Sequence, residues 1–432
     1  MTNRRPQFVL ILLFLCFMGR AAVAMAQGTP AAQPLSPPTL VRVFLDCQYE
    51  CDRDYLVQNI TFVDYVRDRT VSDIHLLVTT QETGGGGTAW TLKFIGQGYY
   101  MGQDRTLTLN TPQDATSDDR RMEFARVMKI GLVGYAASTS VGSKLDVTSE
   151  RKTPANRTTP TKDRWNFWVF NFGVNGYLSG EATNKNENHF FNFSGSRVTE
   201  QWKINLSTNK SNNTSTFKIT DTDTIKSNSD NWSVNSLVVK SLGPKWSFGE
   251  RSGISHSSYS NVDRSINAAP AIEYDFFPYS ISTQKSLTVQ YSAGATSYRY
   301  RDLTIYDKLQ ETVPNHSVNV SLGVRAPWGS LSGSANISEN LNHREQYHIN
   351  MYSGTSVRLF KGFSFNVSGG YNRIHDQIGL RKADATTEEV LLRLQQRATG
   401  YSYNMNFGIN YSFGSIFNSV VNPRFGGGGF FF

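Results

Sequence analysis

After Arg164, large apolar residues recur at every second position with small polar residues between them. Phe363, Phe365 and Val367 alternate with Ser364, Asn366 and Ser368. Tyr403, Met405, Phe407, Ile409, Tyr411 and Phe413 alternate with Ser402, Asn404, Asn406, Gly408, Asn410 and Ser412. Leu287, Val289 and Tyr291, and then Val318, Val320 and Leu322, repeat the pattern, and Trp168, Phe170, Phe172 and Val174 begin it. A period of two sends successive side chains to opposite faces of a β-strand. These segments therefore form strands with one dry and one wet face, and a helical fold is excluded over some 250 residues.

A soluble sandwich also alternates, so the question is what covers the dry face. Three features point to lipid. The alternating segments run about 10–16 residues, against the ~5–6 of ordinary strands, which suits a tilted strand crossing a bilayer. The wet positions are Ser, Asn, Gly, Thr and Gln, and charged residues make up 18% of the chain, below the ~25% of soluble domains. Aromatics, 12% of residues, gather at segment ends, as at Trp165 and Trp168, Phe276, Phe277 and Tyr279, Tyr298 and Tyr300, and Trp328, like the interfacial girdles of membrane barrels. The fold expected is a transmembrane antiparallel β-barrel, up-and-down, over residues 164–413. About twelve strands are predicted, near 165–180, 188–208, 213–220, 231–242, 245–257, 262–275, 280–299, 314–325, 328–339, 345–360, 362–376 and 401–413. The predicted short connections follow even strands (Thr208–Asn212, Gly243-Pro244, Phe277-Pro278, Pro327-Trp328, Lys361-Gly362), and longer ones follow odd strands, including 301–314 and 377–400. That asymmetry puts both barrel termini on the periplasmic side. Phe191 and Phe193 are out of phase with Trp202, Ile204 and Leu206, which predicts a bulge or break near Arg197.

The N-terminus sets the compartment. Arg4 and Arg5, the apolar stretch Phe8–Met18 and two A-x-A sites at Ala22–Ala26 read as a signal peptide over residues 1–26. No later apolar run approaches the ~18–20 residues of a membrane helix. Export leaves Cys47 and Cys51 as a disulfide candidate in an oxidising compartment. A metal site is the weaker alternative, since two thiols without a nearby His are too few ligands.

Residues 27–38 read as a flexible lead-in, and 39–137 as a small periplasmic α/β domain. Its expected order is β-α-β-β-β-α: a strand at Leu40–Leu45, a helix capped by Asp52 and running to about Asp68, a strand at Ile74–Val78, a turn at Gly84–Gly87, strands at Trp90–Ile95 and Thr106–Leu109, and a helix capped by Ser117 or Asp118. Phe124, Val127, Met128, Leu132 and Tyr135 share a face of that last helix. Residues 138–163 read as a linker and 414–432 as a tail. The chain resembles bacterial outer-membrane β-barrel proteins, because Asn406, Gly408, Tyr411 and Phe413 in the final strand look like their C-terminal sorting signal. The resemblance implies outer-membrane localisation, contact with outer-membrane lipid and recognition by the barrel-assembly machinery. Such proteins usually end on that last aromatic, whereas this chain runs on to Phe430-Phe431-Phe432. The N-terminal unit looks faintly like periplasmic domains of the TolB or curli-secretion kind, and its element order departs from the POTRA pattern.

Nothing in the sequence carries catalytic chemistry. The Gly84–Gly87 run lacks the Gly-Lys-Ser/Thr of a phosphate loop. The seven histidines (His75, His189, His256, His316, His343, His348, His375) show no metal spacing, and His75 on its strand reads as packed or solvated. His256 beside Ser257 and Ser258 does not make a dyad, since strand neighbours point apart. No metal, cofactor or enzyme activity is expected. Lys and Arg exceed Asp and Glu by 8 but are dispersed, which argues against nucleic acid and for anionic headgroups. Arg264, Glu273, Arg373 and Asp376 are candidate lumen charges, closing a polar network or forming a constriction. Thr386–Glu389 opens an amphipathic helix to about Ala398, a candidate plug or docking element in the 377–400 loop. Two functions are expected. One is a barrel anchoring a periplasmic domain that binds an envelope or export partner. The other is a porin-like channel for small solutes.

Overall fold

The computed structural model of the chain describes residues 38–47, 51–84, 86–146, 163–218, 224–360, 362–382 and 398–415. The expected signal peptide, most of the linker, the helix after Thr386 and most of the tail lie outside these residues.

Twelve antiparallel strands follow one another in strict up-and-down order. They are β6 (Trp168–Gly180), β7 (Asn184–Val198), β8 (Trp202–Lys218), β9 (Thr224–Ser241), β10 (Trp246–Ser257), β11 (Val262–Asp275), β12 (Lys285–Tyr300), β13 (Gln310–Ala326), β14 (Gly329–Asn340), β15 (His343–Phe360), β16 (Phe363–Ile374) and β17 (Tyr401–Tyr411). The register keeps the two residue classes apart. One row across the sheet reads Ser247, Glu273, Gln290, Asn319, Asn336, Asn350, Asn372, Ser402. The neighbouring row reads Phe248, Ile272, Tyr291, Val318, Ile337, Ile349. Side chains bond along the polar face, as in Gln290 Nε2 to Glu273 Oε2 at 3.1 Å and Asn372 Nδ2 to Ser402 Oγ at 3.1 Å.

The strand count matches the expectation, but one boundary moves. The predicted turn at Thr208–Asn212 lies inside β8, which pairs from Trp202 to Lys218 with β9. The turn sits instead at residues 199–201, where Thr199 N bonds Trp202 O at 2.8 Å. The phase change near Arg197 therefore marks a hairpin rather than a bulge. Asn and Ser in the upper half of β8 imitate turn composition, yet they pair residue for residue with β7. The loop asymmetry is also less clean than expected, because the connection at 276–284 is long for an even one and that at 341–342 is short for an odd one.

The N-terminal α/β unit has five strands in the order β2-β1-β3-β4-β5. They are β1 (Val41–Asp46), β2 (Val63–Tyr65), β3 (Ile74–Glu82), β4 (Thr88–Gly96) and β5 (Arg105–Thr111), with helices α1 (Arg53–Asn59) and α2 (Ser117–Ala136). β1 runs parallel to both β2 and β3, and β3-β4-β5 form an antiparallel meander. Asp52 caps α1 through Tyr55 N as expected. The helix stops at Asn59, and Val63–Tyr65 form an unforeseen strand, so Ile60, Val63 and Tyr65 reach the core from extended backbone. α2 is capped by Thr116 rather than Ser117 or Asp118, in a capping box with Asp119. The core packs Val41, Val43, Ile74, Leu76, Val78, Leu92 and Phe94 against Leu56, Phe124, Met128 and Leu132. Cys47 and Cys51 are joined by a disulfide just after β1.

A Cβ at Gly131 would fall against the Phe94 ring. Gly131→Ala should therefore destabilise the α/β unit by about 1–3 kcal/mol despite its gain in helix propensity. Hydrogen exchange of the α2 amides in the full-length protein reads this directly, as faster exchange in the variant.

Candidate functional site

The twelve-stranded sheet begins and ends at one edge of its strands. β6 starts there, β17 finishes there, and the connections after every second strand turn there, including Pro327-Trp328. This end is rich in aromatics. The Trp165, Trp168 and Phe170 rings touch, as do Trp246, Tyr274 and Phe276, and Phe360, Phe363, Tyr411 and Phe413. Lys240 and Lys245 lie over Trp202 and Tyr274.

The α/β unit packs against this same end, by contacts on two sides. On one side β1 delivers Asp46 and β3 delivers His75. Arg358, near the end of β15, grips the Asp46 carboxylate with both guanidinium nitrogens, Nη1 to Oδ2 at 2.5 Å and Nη2 to Oδ1 at 2.6 Å. His75 Nε2 lies 2.9 Å from Oδ2. A carboxylate only accepts, so the imidazole donates through Nε2. Its Nδ1 is buried without a hydrogen-bond partner among the described residues. The guanidinium also lies over the Phe44 ring, 5.3 Å from its centre. Arg69 Nη1 donates to Pro327 O at 2.6 Å, which ties the loop after β2 to the turn before β14. On the other side the β3-β4 hairpin tip meets β7, where Ser196 Oγ donates to Gly84 O at 2.6 Å.

The alternation of β3 explains this arrangement. Ile74, Leu76 and Val78 face the helices and belong to the core. His75, Leu77 and Thr79 point the other way, yet are no more than 5% exposed. Arg325, Ala326, Gly329, Ser356 and Arg358 of the large sheet line one small cavity with Asp46, Leu77 and Val78. The unit is thus two-layered, helices on one face of its sheet and the strand ends of the large sheet over the other. Burial pulls the Asp46 carboxyl up, but the hydrogen bonds from His75 and Arg358 and the Arg358 charge outweigh it, and its pKa falls below the ordinary carboxylate value.

Beside the hairpin tip lies a cavity of about 540 Å³. Gln81, Glu82 and Thr83 border it from the unit, and Lys203, Arg251, Glu273 and Gln290 from the polar face of β8 to β12. The opposite end of the large sheet is knitted by its connections. Asn261, 2% exposed, bonds Asp302 O and Gly379 O, and Arg381 Nε meets Asp302 Oδ2 at 3.1 Å. Ile305 and Leu380 are joined by backbone, and Ile378 and Tyr300 are buried there.

The four expected lumen charges do not meet. Glu273 is on the polar face and is bonded to Gln290. Arg373 pairs with Ile349 and Tyr401, and Arg264 with Arg299, so the register puts both on the apolar face near the far end. Asp376 follows β16 and approaches His348 at 3.4 Å. Strand parity separates these residues: Arg264 is nine positions from Glu273, an odd number, and falls on the other face. Asn406 and Gly408 lie on the polar face and Tyr411 on the apolar face with Phe363. Asp46 and Arg358 had no signal beyond charge near the ends of their strands, Arg69 had none, and Pro327 only its place in a predicted turn.

No protein-family profile and no curated protein matches the chain. Among solved structures it is similar to a porin (12% identity, TM-score 0.27, 55% of this chain and 66% of that one). It is similar also to the NanC porin (9%, 0.28, 56% and 100%) and to the translocator domain of the autotransporter NalP from Neisseria meningitidis (11%, 0.25, 57% and 87%).

Asp46, with its lowered pKa, stabilises the docked unit above the ordinary carboxylate range near pH 4, and that contribution is lost as pH falls through its lower folded value. Asp46→Asn should remove this pH dependence and cost about 2 kcal/mol of docking. That is less than for a fully buried pair, because the Arg358 side chain is 29% exposed. Hydrogen exchange of the β1 and β3 amides between pH 3 and 7 measures both effects.

Proposed function

We propose that the twelve-stranded sheet spans the outer membrane as a barrel and holds the α/β unit at its periplasmic mouth, where the unit serves an envelope or export partner. The observation that carries this reading is the absence of a sheet core. Among the described residues of β6 to β17, the buried large apolar side chains are Tyr300 and Val313 alone. Phe172, Val174, Phe248, Ile272, Phe407 and Ile409 stand exposed on one face. In water such a surface would aggregate; in lipid it is the driving force for insertion. Among the described residues no ladder joins β6 to β17, and unpaired strand edges are costly in lipid. Closure of the barrel by these two strands is part of the proposal. Both termini of the barrel and the docked unit then lie on the periplasmic side. Lipid contact and insertion by the barrel-assembly machinery through the final strand belong to the same reading.

A second reading, a porin-like channel for small solutes, draws on the neutral Ser, Asn and Gln face. The knit of the 301–309 connection with residues 378–382 sits where such a channel would be gated. Neither reading assigns catalytic, metal or cofactor chemistry.

Heat-modifiable migration of the folded protein is expected on gels, together with recovery in outer-membrane fractions. A soluble, heat-insensitive protein would refute the membrane reading. Under the anchor reading a stoichiometric envelope protein co-purifies with the full chain and is lost on deletion of 39–137. Under the channel reading purified protein gives discrete conductance steps in planar bilayers.

A further inference from the structure

We propose that the α/β unit is a plug for the barrel's own lumen, latched across the mouth by the Asp46–Arg358 pair. The proposal rests on the membrane reading above and adds a task for the unit toward the barrel itself.

The geometry of attachment carries it. Docking on an outer rim would place all contacts on one or two neighbouring strands. The unit instead reaches β7 through Gly84 and β13 to β15 through Arg69 and Asp46. In the barrel closed by β6 and β17, β7 and β15 stand four strand spacings apart one way and eight the other, a third of the way round the ring. The strut between the two attachment sites is β3, where His75 to Gly84 spans nine residue steps, about 30 Å. A straight strut joining two sites a third of the way round a ring is a chord across it, so the unit lies over the opening. The residues it meets come from the polar face: Arg358 lies in the row of Ser356 and Ser364, and Ser196 is one of the inward positions of β7. The hairpin residues Gln81 to Thr83 border the cavity whose other walls are lumen side chains of β8 to β12.

The latch is chemically suited to hold a plug in place. Both Asp46 oxygens are taken by one guanidinium, and the second partner, His75, is wholly buried. The interface hides Leu77 and Thr79 as well, so release would expose apolar surface together with an unpaired carboxylate and an orphaned imidazole. Among the described residues, the side chains that hydrogen-bond the Asp46 carboxylate are Arg358 and His75. The lumen charges Lys203, Arg251 and Glu273 crowd the same end, beneath the hairpin, while the rows through the middle of the sheet, such as Gln290, Asn319, Asn336 and Asn350, are amides and hydroxyls. The polar face is therefore charged where it meets the unit and neutral through its middle.

Arg358→Ala, Asp46→Arg and the exchanged pair Asp46→Arg/Arg358→Asp test this in the full-length protein. Two readouts are taken from one preparation: conductance in planar bilayers, and the distance between spin labels on α2 and on β10. Removing one partner of a partly exposed pair of this kind shifts the docking equilibrium by on the order of 30-fold. The expected result is a rarely open wild type, an open probability raised at least tenfold in both single variants with a broadened label distance, and return toward wild type in the exchanged pair. Arg358→Lys, which keeps the charge and loses the two-pronged grip, should fall between. Unchanged conductance alongside a broadened distance overturns the plug, as does a wild type that is fully open with the unit docked or a barrel silent in every variant. Heat-modifiable migration of the same samples separates these outcomes from failure of the membrane reading, which would show no such shift.

Discussion

A β-strand that alternates large apolar with small polar residues has two faces that need different surroundings. In the α/β unit the apolar faces meet two helices, and a core of ordinary kind forms from Val41, Ile74, Phe94, Phe124 and Met128. In the twelve-stranded sheet no second layer covers the apolar face among the described residues. Phe172, Val174, Phe407 and Ile409 remain bare along the middles of their strands, so the stabilisation that burial supplies elsewhere must come from a surrounding apolar solvent. Everything else in the large sheet follows from that demand: strands of 11 to 18 residues, aromatic rings gathered at the strand ends, and a second face held together by amide and hydroxyl pairs.

The same rule explains the α/β unit's orientation. Its sheet has helices on one side only, and the uncovered side carries Phe44, Asp46, His75, Leu77 and Thr79. The strand ends of the large sheet supply both the cover and the counter-charge. Arg358 satisfies Asp46, stacks on Phe44 and closes the gap beside Leu77 in one side chain. A lysine could neutralise Asp46 but could not offer two parallel donors or a flat stacking face. Arg358 thus joins the packing of the unit to the strand ends of the large sheet in one side chain.

Most of this architecture was legible from strand periodicity, because parity is a local property. It identified twelve strands, their faces and most of their limits. Parity failed where composition and pairing diverge, as in Ser207–Lys218, whose Asn and Ser suggest a turn while the ladder to β7 and β9 keeps them extended. In the α/β unit the apolar spacing from Tyr55 to Val66 suits a helix, but parallel pairing with β1 draws Val63–Tyr65 into the sheet. The lumen charges were assigned without counting parity, which sends Arg264 and Arg373 to the other face. The mouth contacts were not legible at all. Asp46 and Arg358 stand 312 residues apart, and His75 on its strand gave no sign of what would lie above it.

The central claim is that one face of the large sheet meets lipid and the other meets water, and consecutive residues of β16 test it most directly. Single cysteines at Ser364, Phe365, Asn366 and Val367, carried by otherwise cysteine-free full-length protein in liposomes, can be given an environment-sensitive fluorophore. The account predicts quenching by lipid-borne quenchers at 365 and 367 and by aqueous quenchers at 364 and 366, in strict alternation. Equal aqueous quenching at all four positions would contradict it.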